Sequence, residues 1–84
     1  MSHARDVAEA VTRALVDRPD AVRVTEAEHR DTNVIEVCVA GDDLGRVIGR
    51  QGRTATAIRT LVTATAERHG RRVSVEFHDD HGQR

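Results

Sequence analysis

The stretch Leu44-Gly45-Arg46-Val47-Ile48-Gly49-Arg50-Gln51-Gly52-Arg53, followed by Ala57-Ile58-Arg59, carries the densest chemical information in the chain. Two glycines enclose two polar residues, and an apolar pair, Val47-Ile48, comes directly before them. Gly49 suits the end of a short helix, because glycine takes backbone conformations closed to other residues. Gly52 lets the chain turn at once into a further helix. Neither glycine projects a Cβ, so the backbone of another molecule can come close. The amides of the loop and the start of the second helix add donors and positive potential, which favour a phosphate. Arg46, Arg50, Arg53 and Arg59 surround the loop, and Val47 and Ile48 suit the floor of a groove for bases.

The charge distribution agrees with that chemistry. The formal net charge is −1, which taken alone argues against a nucleic-acid partner. Residues 44–72, however, hold seven Arg against one Glu, whereas residues 21–43 hold two Arg against six acids. A basic field therefore sits inside an otherwise acidic chain, as a site for a phosphate backbone requires. All 13 basic side chains are Arg, whose planar fork matches phosphate better than the point charge of Lys.

Outward from the loop, the periodicity predicts a short helix over about Asp43–Ile48, with an Asp as cap, and a longer one over about Arg53–His69. The longer helix has Ile58, Leu61, Val62 and Ala66 as its core stripe and Gly70 as its stop. Val73, Val75 and Phe77 alternate with Ser74, Glu76 and His78, which predicts a final strand. Upstream, Val34 to Ala40 reads as a strand apolar on both faces, hence central. Ala21 to His29 reads as a strand whose polar second half suits a sheet edge. Residues 3–17 read as an amphipathic helix with Val7, Val11, Ala14 and Leu15 as its apolar stripe. Ser2 caps it, and Arg18-Pro19 stops it.

The expected fold class is therefore α+β, in the order α-β-β-α-α-β. The first two strands form an antiparallel hairpin. The last two are joined through two helices, which allows parallel pairing. A three-stranded mixed sheet with three helices packed on one face follows, because there is too little apolar material to cover both faces. One domain spans 1–84, with an ordered core of about 3–78 and a polar tail over 79–84.

At this point the sequence resembles a KH domain, whose signature is VIGxxG followed by an apolar position further along the next helix. The element order is that of the type II, bacterial arrangement. A single such domain in so short a chain is most similar to the KhpA family of small bacterial RNA-binding proteins. The likeness is densest over Gly45–Leu61, and the element order extends it to about His78. Arg50 stands where the family commonly has Lys, and Thr54 where it often has Ile. The resemblance implies binding of single-stranded RNA, with the GxxG loop holding about four backbone nucleotides. The site residues it implies are Arg46, Val47, Ile48, Gly49, Arg50, Gln51, Gly52, Arg53 and Arg59. It also implies a homodimer, or a heterodimer with a KH protein of the KhpB/Jag type, acting in RNA metabolism linked to cell elongation and division. The alternative reading is a protein-interaction module that uses the same GxxG surface for dimerisation.

Several other functions are disfavoured. One Phe and no Tyr or Trp leave no aromatic platform for stacking bases. A DNA-reading helix-turn-helix is disfavoured by Thr54, Ala55, Thr56 and Ala57, which give the second helix few base-reading groups near its start. One Cys excludes an internal disulfide and a Cys-rich zinc site, and Cys38 reads as a small buried hydrophobe. No Ser, His or acid arrangement suits a nucleophile, so no enzyme is expected. No cofactor and no metal site are expected either. The one His-rich cluster, His78-Asp79-Asp80-His81, lies at a strand end and in the tail. No apolar run approaches the length of a membrane span, and the first residues lack an apolar signal core, so a cytoplasmic protein is expected.

Overall fold

The computed structural model describes residues 2–80. Helix α1 spans His3–Leu15, strand β1 Arg23–His29 and strand β2 Thr32–Val39. A short helix α2 follows over Leu44–Ile48, then α3 over Arg53–Arg68 and β3 over Val73–Asp79. Single 3-10 turns join these elements at Pro19–Ala21, Gly41–Asp43 and Arg50–Gly52. The expected α-β-β-α-α-β order is thus the observed one. Residues 81–84 of the expected polar tail lie outside the described residues.

The sheet order is β1-β2-β3, with β1 and β2 antiparallel and β2 and β3 parallel. β2 is central, as its two apolar faces predict. Ile35, Val37 and Val39 point to the helices and are fully buried, with Val24 from β1 and Val75 from β3 beside them. The opposite face, carrying Val34, Glu36 and Cys38, packs against no helix and is half-buried or exposed. Cys38 is accordingly half-buried on this open face and does not belong to the core. Burial pushes its thiol pKa up, the nearby Asp80 and Asp79 add to the rise, and Arg23 opposes it.

Helix α1 sits differently from its predicted stripe, whereas α3 departs from its own at one position. In α1 the innermost residues are Ala4, Ala8 and Thr12, while Val7 and Val11 flank the core and Leu15 is 40% exposed. In α3 the expected Ile58, Val62 and Ala66 are buried together with Ala55, and Leu61 alone of the stripe is turned out, 47% exposed. The reason is steric: α1 and α3 pack together, and small side chains at the closest approach allow their backbones to come near. The larger apolar residues of α1, Val7, Val11 and Leu15, are displaced to the margin. α1 also ends at Leu15, two residues before the predicted stop. Its N-terminus is capped as expected, with Ser2 Oγ accepting from the Arg5 amide at 3.0 Å. The same hydroxyl donates to Glu26 Oε1 at 2.7 Å and so pins the start of α1 to β1.

Candidate nucleic-acid interface

The turn between α2 and α3 is built by its two glycines. Gly49 closes α2 with φ 77° and ψ 172°, a region essentially confined to glycine, and its amide donates to Gly45 O at 2.9 Å. Gly52 precedes α3 in the left-handed region, with φ 73° and ψ 12°, and its amide donates to Gly49 O at 3.1 Å. Gln51, between them, also has a positive φ of 58°. Three of four successive residues thus curl the chain tightly and leave Arg50 and Gln51 exposed at the tip. A Cβ on Gly49 would lie 2.3 Å from Thr54 Oγ1 and 2.9 Å from the Thr54 amide nitrogen. Thr54 therefore packs directly behind the loop.

The expected site residues fall into three groups. Gly49, Arg50, Gln51, Gly52 and Arg53 form one continuous surface, with Arg53 Nη2 donating to Gln51 Oε1 at 2.9 Å. No side chain caps α3, so its positive end remains beside this surface. Ile48 is half-buried at the edge of the loop, whereas Val47 is completely buried in the core beneath it. Arg46 is turned elsewhere: Nη2 lies 2.9 Å from Asp17 Oδ2, and Nε lies 3.6 Å from Asp43 Oδ1. Arg59, farther along α3, donates from Nε to Val75 O at 3.1 Å, and its guanidinium carbon lies 5.1 Å from the Phe77 ring centroid. Arg59 thereby ties α3 to the edge strand β3 while keeping a positive charge between them.

One residue that shapes the site carries no sequence signal for its role. Asp43 is 1% exposed, and its carboxylate makes no capping bond to α2. Its Oδ1 and Oδ2 instead accept from the amides of Asp17 and Arg18, both at 3.0 Å. The chain leaving α1 is thus clamped to the start of α2, and Arg46 closes the clamp. An Asp before an apolar run is an ordinary cap signal, and nothing local announces a partner about 26 positions away.

A sequence model of the KhpA/KhpB KH domain matches residues 5–77. The RNA-binding protein KhpA of Aquifex aeolicus is 49% identical over 77 residues, covering 92% of this chain and 98% of the relative. The RNA-binding protein KhpA of Leifsonia xyli is 56% identical over 70 residues, covering 83% of this chain and 90% of the relative. Among solved structures, Era in complex with MgGDPNP and nucleotides of 16S ribosomal RNA matches with a TM-score of 0.66 at 20% identity. That match covers 90% of this chain but 29% of Era, and it concerns the fold alone. With its three helices on one face of a mixed sheet, its VIGxxG turn and its relatives of nearly equal length, the chain adopts the type II KH fold and belongs to the KhpA/KhpB KH-domain family.

Proposed function

We propose that this chain is a non-catalytic, single-stranded RNA-binding protein that holds the RNA backbone with its GxxG loop. The conformation of Gly49–Gly52 carries the reading. A loop with no Cβ at either end, exposed polar tips and a helix start behind it is shaped for close approach of phosphate. Arg50 and Arg53 supply the nearby charge. Arg46, already paired with Asp17 and Asp43, contributes less, and Val47 supports the loop from below. Ile48, Arg59 and the edge of β3 offer the adjoining groove for bases. The names of the relatives agree with RNA as the ligand. The setting we infer is cytoplasmic bacterial RNA metabolism linked to cell elongation and division. Among the described residues, no helix is long and apolar enough to cross a membrane.

Fluorescence anisotropy with a labelled single-stranded RNA pool tests this. Contact with three or four phosphates gives a log–log salt slope of roughly −2 to −3. A flat slope, or no binding at low salt, removes RNA from this reading.

A second surface favours association with another protein. The exposed Leu15 and Leu61 line a shallow groove together with Val11, Ala57 and Ile58. Arg53 and Thr54 line the same groove, so it abuts the GxxG loop. We propose that this margin serves a homodimer, or a heterodimer with a KhpB/Jag-type KH protein. On this reading dimerisation and RNA binding share neighbouring surfaces.

A further inference from the structure

The open face of the sheet, opposite the helices, gathers chemistry that the RNA site does not use. Parallel pairing of β2 and β3 places Glu36 directly opposite Glu76, and Cys38 opposite His78. Two like charges facing each other across a sheet are unfavourable. Among the described residues, no Arg forms an ion pair with either glutamate. His78 stands beside them, with its Nε2 3.4 Å from Glu76 Oε1. That nitrogen is shielded from solvent yet makes no hydrogen bond. One carboxylate oxygen each from Glu36 and Glu76 and one ring nitrogen of His78 lie within 4.8 Å of one another.

We propose that Glu36, Glu76 and His78 form a binding site for a divalent transition-metal ion of the zinc class, completed by water. The donor set selects the metal. An imidazole nitrogen with two carboxylates suits zinc and its neighbours, whereas calcium and magnesium prefer oxygen alone. A tetrahedral ion with bonds of about 2.1 Å needs ligand atoms about 3.4 Å apart. Both glutamates are exposed and free to swing inward by the small remaining distance. The ion would neutralise the opposed carboxylates and strap the central strand to the edge strand β3. Sequence adjacency groups His78 with Asp79, Asp80 and His81, whereas strand register groups it with Glu36 and Glu76. This departs from the sequence-based expectation of no metal site.

The test is titration of the full chain with zinc chloride, followed by calorimetry and by amide NMR spectra. The expected result is one ion per chain with micromolar affinity and shifts concentrated in β2 and β3. Affinity falls at least tenfold in H78Q and in E36Q, and a double H3Q/H69Q variant binds as the wild type does. The last control matters because His3 and His69 bring two imidazoles together elsewhere, with ring centroids 4.4 Å apart. Binding no tighter than millimolar, binding that survives H78Q, or shifts centred on His3 and His69 overturns the proposal. The spectra are read on the wild-type chain, so they decide the matter even where a variant fails to fold.

Discussion

Arg50 and Gln51 are exposed and lie between glycines that set the turn, so their side chains are separable from the fold. Replacing both with Asp keeps the glycines, and Asp tolerates the left-handed conformation that Gln51 adopts. Surface changes of this kind usually alter stability by less than about 0.5 kcal/mol. Each new negative charge facing a phosphate costs on the order of 1 kcal/mol even in high dielectric. RNA affinity is therefore expected to fall at least tenfold in R50D/Q51D, with the circular dichroism spectrum and Tm nearly unchanged. A variant that keeps RNA affinity but loses its protein partner would make the loop a protein interface. The two glycines themselves differ. G49A meets Thr54 at 2.3 Å and also a φ of 77°, so relief requires moving backbone as well as a side chain. Gly52 has open space, and G52A faces only left-handed strain of about 1–2 kcal/mol. Thermal melts should show G49A lowering Tm markedly more than G52A, and equal losses would contradict the steric account.

At the scale of elements, the junction of α1 and α2 rests on one carboxylate. Asp43 accepts two backbone amides while being almost fully buried. D43A leaves both donors without that partner, and a hydrogen bond to a charged group contributes about 1.5–3 kcal/mol. A loss of about 3 kcal/mol corresponds to a Tm drop of more than about 10 °C for a domain of this size. D43N, which keeps one good acceptor, should fall between D43A and the wild type. If D43A melts like the wild type, the clamp contributes nothing. The helices also show how far periodicity carries. The apolar spacing of α1 and α3 is enough to predict both helices. In α3 it also finds the buried side, Ile58, Val62 and Ala66, but in α1 it does not, because Ala4, Ala8 and Thr12 score weakly yet pack most closely. Leu15 thus lies at the margin, and Leu61 of α3 is exposed as well.

That margin matters for the whole molecule. A chain of 84 residues has a small core, and burying exposed leucines against a second copy adds stability through mass action. A concentration-dependent Tm and a weak dimer in sedimentation are expected. The substitution L61S should shift the population to monomer while its own Tm stays near that of the dilute wild type, because Leu61 contributes little to the intramolecular core. Sedimentation as a pure monomer from micromolar to millimolar concentration would refute the dimer. Should L61S also abolish RNA binding while leaving the GxxG residues intact, the dimer itself is the RNA-binding unit.

Local physics makes much of this protein legible in one dimension. Glycine spacing, the Val-Ile pair before it, the Ser2 cap and the alternation of Val73, Val75 and Phe77 each depend on neighbours within a few residues. The order of elements and the two-glycine turn can therefore be read without coordinates. The pairings that link distant residues cannot. Asp43 reaching Asp17 and Arg18, Arg46 turning to Asp17, and Arg59 reaching the Val75 carbonyl all join segments whose proximity exists only after packing. Glu36 meets Glu76 and His78 for the same reason: parallel register, set by the burial of Ile35 against Val75 on the other face, decides which polar residues stand opposite each other. A one-residue slip in that register would turn every side chain to the wrong face, so the core that selects the register also selects the outer cluster.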